Sequence, residues 1–152
     1  GKPARSAARA VRKFVSAGGR LVVLDQRRWD WPELVDFALG SKTSSRAFPY
    51  ARARHPVLAN VGPEFLKRLN GEPGTAAERF VAGAVLKAPG LKKLLWIAQP
   101  RYPVLVSLPV DEGEVIICTL QLNGRLARSG GRYDPIAERL LLNLLCRRSG
   151  QS

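Results

Sequence analysis

The sequence predicts an α/β protein that combines a parallel sheet with a late antiparallel hairpin. Residues 4–17 place small and apolar side chains on one stripe and basic side chains elsewhere, which is typical of an amphipathic helix that ends at Gly18-Gly19. The run LVVL at 21–24 contains no polar residue, as expected of a strand covered on both faces in a parallel sheet. Much later, residues 102–124 have the pattern of a strand, a polar turn and a second strand.

The helix, the Gly-Gly stop and the buried strand together make half of a βαβ unit. The strand that should precede the helix is not in the sequence, whose first residue is Gly1. We therefore expect one or more strands upstream, and we treat residues 1–152 as a single but partial domain.

The hairpin, YPVLVSLPVDEGEVIICTLQLNG, has two unequal arms. Its first arm alternates, whereas residues 115–118 are apolar at every position after the polar turn 111–114. We expect this second arm to be buried on both faces, with the last helix packed over one of them.

The last helix is predicted to begin at Asp134-Pro135, because Asp favours the N-cap and Pro favours the first turn. Arg147-Arg148 complement the helix dipole at the other end. Leu141 and Leu145 are the expected contacts with the hairpin. The helical period directs five apolar side chains to the core, which are Ile136, Leu140, Leu141, Leu144 and Leu145.

The middle of the chain has shorter patterns. Asp30 and Glu33 fit a capping box, which predicts a helix over 32–39 that Gly40 ends, and residues 41–56 are expected to form an irregular loop. The remaining patterns are one or two helical turns over 62–69, a segment 75–86 that fits either a helix or a strand, and an apolar stretch at 94–98.

Composition excludes some classes of protein. A hydrophobic content of 45% and a charged content of 24% are typical of a globular protein, which excludes wholesale disorder. No apolar run reaches the length of a membrane span, and no signal-peptide pattern opens the chain, so the compartment is left open. Cys118 and Cys146 lie in apolar segments, where buried thiols are common, and neither has a CxxC partner. No metal site and no cofactor is predicted.

The net charge of +13 has two explanations. Residues 1–54 hold 12 basic and 4 acidic side chains, and a surface of this kind attracts polyanions. The chain also has 18 Arg against 7 Lys, which fits a GC-rich coding bias in which arginine is simply the solubilising charge.

Four segments occur in an order that resembles one known group of domains. The segments are AGGRLVVLDQ, FPYARARHPVLANVGPEFLKRLNG, YPVLVSLPVDEGEVIICTLQLNGRL and DPIAERLLLNLL. They are similar to the degenerate class I glutamine amidotransferase-like domain attached to bacterial family-two, β-galactosidase-like glycoside hydrolases, over residues 8–147. The resemblance implies a flavodoxin-like three-layer sandwich and a bacterial parent enzyme. It is compatible with a secreted or periplasmic location of that enzyme.

The resemblance also implies a loss of chemistry. In active class I amidotransferases the corresponding late strand ends in a His and a Glu that activate a Cys on a strand-to-helix elbow. The strand end here is TLQLN at 119–123, without His or Glu, and the elbow Cys is missing as well. The site is thus expected to keep its shape and to lack its catalytic groups.

The residues themselves offer few catalytic groups. The one histidine, His55, precedes Pro56 in an extended loop, and we expect it to pack against or cap that loop rather than act as a base. Most carboxylates lie at helix caps or in the turn 111–114, where dipole complementarity and solubility explain them. Asp25 is the exception because it ends a buried strand. Ligands of open α/β sheets bind at the carboxyl ends of strands, so a vestigial polar pocket, or else a purely structural role, is predicted for Asp25, Gln26, Gln121 and Asn123.

An aromatic segment forms a second candidate contact. Trp29 and Trp31, beside Arg28, could stack on a sugar ring, because carbohydrate sites combine aromatic faces with nearby polar groups. The same segment could instead be the contact with a neighbouring domain.

The sequence therefore predicts a non-catalytic accessory module of a carbohydrate-active glycoside hydrolase that supports domain packing, oligomerisation or glycan contact. The expected partners are the other domains of the parent enzyme, a second copy of the chain, and carbohydrate. The alternative is a basic nucleic-acid-binding module. Against this alternative, five arginines fall in loops that contain no recognisable reading helix or RNA-binding motif. They are Arg27, Arg28, Arg46, Arg52 and Arg54.

The charge leads to a first prediction. If coding bias explains it, the chain binds duplex and single-stranded DNA weakly and without sequence preference. Each neutralised phosphate contributes a salt slope of about −0.9 on duplex DNA, so moderate salt abolishes the binding. Fluorescence anisotropy titrations at increasing salt measure this, and sequence-selective binding that survives roughly 200 mM salt would contradict it.

Overall fold

The computed structural model describes residues 5–66, 75–122, 125–126 and 133–146. Within them the helices are α1 (Arg5–Ser16), α2 (Pro63–Leu66) and α3 (Pro135–Leu145), with short 3-10 helices at Pro56–Leu58 and Ala84–Lys87. The strands are β1 (Arg20–Leu24), β2 (Ala38–Ser44), β3 (Ala47–Pro49), β4 (Ala77–Ala82), β5 (Lys92–Ile97), β6 (Pro103–Val110) and β7 (Gly113–Cys118).

Five strands form one mixed sheet in the order β1-β7-β6-β5-β3. β1 and β7 are parallel, with Arg20 opposite Glu114 and Val22 opposite Ile116, and the other pairings in this sheet are antiparallel. β2 and β4 form a separate antiparallel pair. The predicted α/β class and late hairpin are confirmed. Among the described strands, parallel pairing is confined to β1 and β7.

Strand β7 is buried on both faces, as the sequence predicts. Each residue of 115–118 is at most 3% exposed. Because side chains of a strand alternate between its faces, Ile116 and Cys118 pack in one core with α3, and Val115 and Ile117 pack in another with α1. The sheet therefore separates two apolar cores, each covered by a helix.

The residues by which α3 contacts the sheet differ from those expected. Its buried side chains are Ala137, Leu140 and Leu144, spaced by three and four residues on one face of the helix. Leu141 is only partly buried against the same core, and Leu145 is 62% exposed. The prediction that Leu145 contacts the hairpin is wrong, because the helix face turns away one residue after Leu144.

The predicted helix over 32–39 is also wrong, since β2 begins within it. Val35 and Phe37 are buried and Asp36 between them is exposed, which is the alternation of an extended chain. The Trp29 ring stacks on Phe37 with centroids 4.7 Å apart. Burial of these apolar side chains outweighs the local preference of the capping box, as tertiary contacts commonly do.

The expected irregular loop over 41–56 contains the rest of β2 and all of β3, which pairs with β5. The alternatives for 75–86 are decided in favour of a strand, β4. The short helix over 62–69 is present as α2, and its last predicted residues lie outside the described ones. Strand β1 is less covered than expected, because it lies at one edge of the described sheet and only Val23 is fully buried. No helix in the described ranges is long and apolar enough to cross a membrane.

The start of α3 is confirmed in detail. Asp134 is the N-cap, and its Oδ1 accepts a hydrogen bond from the Ile136 N–H at 2.8 Å. Cys146 caps the other end and is exposed, so the expectation of a buried thiol there is wrong.

The central position of β7 predicts the effect of truncating it. Ile117→Ala should cost about 2–5 kcal/mol of unfolding free energy, because a buried Ile leaves a cavity in a packed core. This is a large part of the ~5–15 kcal/mol available to a domain. Glu112→Ala, in the exposed turn, should change stability by less than about 0.5 kcal/mol. Denaturant melts compare the two, and equally mild effects would contradict the central position of β7.

Candidate functional site

Asp25 follows β1 at the carboxyl end of the parallel pair. Its N–H donates to the Cys118 carbonyl oxygen at 2.9 Å, and its φ of 39° lies in the left-handed region that Asp tolerates better than most residues. Burial raises the pKa of its carboxyl group, and the Glu78 carboxylate raises it further, while Arg27 and Arg79 act in the opposite direction. Asp25 thus occupies the predicted edge of the sheet, where it is exposed to solvent.

The other predicted pocket residues do not converge on Asp25. Gln26 is exposed, and its amide nitrogen donates to the carbonyl group of the last residue of β1 at 3.0 Å. The carbonyl oxygen of Gln121 accepts a hydrogen bond from Arg125 Nε at 3.2 Å. Within the described residues no hydrogen bond joins either glutamine to Asp25, and Asn123 lies outside them. The vestigial pocket therefore stays a prediction.

The aromatic segment is held largely by its own contacts. Trp29 Nε1 donates to the Val35 carbonyl oxygen at 2.7 Å, and its ring stacks on Phe37 and lies 6.0 Å from the Trp31 ring. Arg28 is paired with Asp30, with Nη2 and Oδ2 2.8 Å apart. Since one side of the Trp29 ring is already covered, Trp31 is the better placed of the two for an external partner.

A polar cluster lies at the opposite, amino end of the parallel strands. We call Arg20, His55, Ser107 and Glu114 the Glu114 cluster. Glu114 Oε1 accepts from Arg20 Nε and lies near Arg20 Nη2, both at 2.6 Å. Oε2 lies 3.0 Å from both His55 Nε2 and Ser107 Oγ. The hydrogen bond with His55, then the charge of Arg20 and the Ser107 hydroxyl, lower the pKa of Glu114 to about 2 against the effect of burial.

Arg20 extends the Glu114 cluster to the end of α3. Its Nη1 donates to the carbonyl oxygens of Asn143 and Leu144, both at 3.2 Å, which have no partner within the helix because they belong to its last turn. Asn143 Nδ2 in turn donates to the carbonyl oxygens of Val57 and Ala59 at 2.9 and 2.8 Å. The cluster therefore joins β1, β6, β7, α3 and the 3-10 helix Pro56–Leu58.

The geometry of His55 excludes a catalytic relay with Ser107. Its Nδ1 accepts a hydrogen bond from the Val57 N–H at 3.1 Å, so Nε2 is the nitrogen that donates to Glu114. In a nucleophile relay the imidazole lies between the hydroxyl and the carboxylate, whereas here His55 and Ser107 both bind the same carboxylate oxygen. The prediction that His55 caps its loop is confirmed.

Cys118 offers no nucleophile either. It is fully buried at the end of β7, and this burial raises the pKa of its thiol to about 12. The reactive species of cysteine is the thiolate, so at neutral pH Cys118 is an inert member of the core.

The sequence does not reveal the Glu114 cluster, because its pattern assigns Glu114 to the polar turn 111–114. The turn consists of Asp111 and Glu112, and Glu114 is the second residue of β7. Its partner Arg20 lies 94 residues earlier, and the parallel register of β1 with β7 sets the two opposite each other. The signal in the sequence was only an acidic residue directly before an apolar run.

The fold and the site define a mixed α/β domain stabilised by a partly buried ion-paired cluster. Comparison of the chain with models of known protein families finds no match, and comparison with curated proteins finds no significant match. The function is therefore inferred from the residues and their geometry.

The Glu114 cluster predicts a pH dependence of stability. The folded pKa of about 2 lies below the ordinary 4.5, so the stability that Glu114 contributes is fully present above pH 4.5 and is lost as the pH falls toward 2. Glu114→Gln should lower the unfolding free energy at neutral pH by roughly 3 kcal/mol, near the lower end for breaking a buried pair, because Glu114 is partly exposed.

Urea melts from neutral pH to pH 2 test this prediction. The native chain should lose stability more steeply between pH 4.5 and 2 than Glu114→Gln. The exposed Glu112→Gln serves as the matched control and should follow the native chain. Parallel stability curves for the native chain and Glu114→Gln would contradict the assigned pairing.

Proposed function

We propose that this chain is a non-catalytic accessory module of a glycoside hydrolase, built as a degenerate class I glutamine amidotransferase-like domain of flavodoxin-like topology. The order α1, β1, hairpin, α3 and the parallel pairing of β1 with β7 are compatible with the resemblance of the four sequence segments. Two apolar cores on opposite faces of the sheet support a three-layer arrangement.

The observation that carries the proposal is the chain that follows β7, where active amidotransferases hold their His and Glu. Thr119 is 3% exposed, and its N–H donates to the Val104 carbonyl oxygen at 2.8 Å. Leu120 is 1% exposed, and the Gln121 N–H donates to the Ala76 carbonyl oxygen at 2.8 Å. These positions serve packing and backbone pairing, and none of the three side chains is a base.

A role in domain packing has its own support in the aromatic segment. Trp31 is half-buried beside the covered ring of Trp29, and Arg28 of the same segment is exposed. Aromatic residues and arginine are both enriched at protein interfaces. We assign this surface to contact with a neighbouring domain, with glycan stacking as the second role it could serve.

The coding region of the chain is the direct test. We expect a glycoside hydrolase catalytic domain in the same polypeptide. Deleting the present chain from that polypeptide should lower its melting temperature or its oligomeric state and leave turnover by the folded catalytic domain intact. A coding region without such a catalytic domain contradicts the proposal.

The isolated chain should hydrolyse no standard glutaminase, esterase or glycosidase substrate, because its one histidine and its buried cysteine are both engaged in structure. Assays with glutamine, aryl esters and aryl glycosides check this. Turnover that disappears in His55→Ala or Cys118→Ala would show that the chain is an enzyme. The exposed Cys146→Ala is the control for loss of a thiol away from the core.

A further inference from the structure

A groove between the segment 50–54 and the start of β5 concentrates positive charge. Its volume is about 350 Å³, near the lower limit of small-molecule sites, which span about 300–1,000 Å³. Four cationic residues are among those that line it, together with Tyr50: Arg52, Arg54, Lys92 and Lys93. Among the residues that the structure describes, no carboxylate lines this groove and none of the four cations forms an ion pair.

The segment 50–54 is fixed at both ends, so the groove is built into the fold. Tyr50 N–H donates to the Leu94 carbonyl oxygen at 3.1 Å, which prolongs the pairing of β3 with β5, and the Tyr50 hydroxyl donates to the Pro100 carbonyl oxygen. Ala53 N–H closes a turn onto the Tyr50 carbonyl oxygen at 3.0 Å. The next residue, His55, is held by Glu114. The fold therefore places two exposed arginines and two exposed lysines around one groove.

Clustered like charges repel one another, and a ligand of opposite charge relieves that repulsion. The two acidic residues of the neighbouring cavity form no ion pair with these cations. Glu114 is already paired with Arg20 and His55, and Glu112 lines a neighbouring cavity that shares only Lys92 with the groove. Arginine forks and lysine ammonium groups are the donors that proteins use for phosphate, sulfate and carboxylate.

The aromatic residues beside the groove argue against a single-stranded nucleic acid as its ligand. Single-stranded nucleic acids bind on exposed aromatic faces combined with basic side chains. Here Phe48 and Trp96 stack on each other with centroids 4.7 Å apart, and the Trp96 Nε1 donates to Pro49. Tyr50 is half-buried. The groove offers charge in a small volume rather than a platform for successive bases.

We propose that this groove, lined by Tyr50, Arg52, Arg54, Lys92 and Lys93, binds a compact ligand that carries two or more phosphate, sulfate or carboxylate groups. The site is independent of the accessory-module proposal, since it rests on the clustered charge and on the pinned segment 50–54 alone.

Isothermal titration of the whole chain at physiological ionic strength tests the proposal and identifies the source of the anionic groups. The probes are tripolyphosphate, a sulfated heparin-type disaccharide and trigalacturonate. We expect at least one of them to bind with one site per chain. Arg52→Gln/Lys93→Gln should weaken that binding by roughly tenfold or more, because each substitution removes a hydrogen bond between charged groups.

The matched control is Arg9→Gln/Lys13→Gln, which removes the same charge from exposed positions of α1. It should change the affinity by less than twofold. The charge-conserving pair Arg52→Lys/Lys93→Arg should keep most of the affinity, and thermal melts should show all three variants folded.

Three results would overturn the proposal. The first is that no probe binds, and the second is an equal loss of affinity in the groove variant and the α1 control. The third is that duplex DNA binds more tightly than all three probes and that this binding is lost in the groove variant. The last result would assign the groove to nucleic acid.

Discussion

The arrangement of this domain depends on the ion pair and hydrogen bonds of the Glu114 carboxylate. Its partners Arg20, His55 and Ser107 are separated from it by 94, 59 and 7 residues. A partly buried charge is costly unless it is paired and hydrogen-bonded. The four side chains can satisfy one another only when β1, β6, β7 and the loop before the 3-10 helix are placed as observed. Arg20 adds the end of α3 to the same arrangement.

The contact between α1 and the hairpin reinforces this end of the sheet. A Cβ atom on Gly113 would lie 2.0 Å from the Val15 carbonyl oxygen and 2.3 Å from the Gly19 carbonyl oxygen, so only glycine permits so close an approach. The Glu114 N–H also donates to the Gly19 carbonyl oxygen at 3.1 Å. Backbone contacts thus join α1 to the hairpin at the amino ends of the parallel strands, and the polar side chains of the Glu114 cluster stabilise the same end of the sheet.

The positive charge of the chain has more than one role. Arg20 is part of the Glu114 cluster, and Arg125 Nη2 donates to the Thr75 carbonyl oxygen at 2.8 Å while its Nη1 lies 3.9 Å from Asp134 Oδ2. These two arginines form structural contacts within the domain. Arg52 and Arg54 project from a segment whose backbone is pinned. A GC-rich coding bias would explain the abundance of arginine, but it gives no reason for four cationic residues to line one groove whose described lining includes no carboxylate.

The sequence by itself determined the elements whose character is local. The amphipathic period and Gly-Gly stop gave α1, uniform apolarity identified the buried arm of the hairpin, and Asp134-Pro135 located the start of α3. The sequence could also assign His55 to a cap, since a histidine before Pro-Val in a loop can accept a hydrogen bond from a nearby backbone N–H. Only the tertiary structure decided that residues 35–37 are extended, because burial of Val35 and Phe37 against distant strands outweighs a capping box. The same is true of the Glu114 cluster and the basic groove. The cluster depends on the register of β1 with β7, and the groove depends on the pairing of β3 with β5. These pairings join residues far apart in the chain, so the local pattern of a single sequence does not predict them.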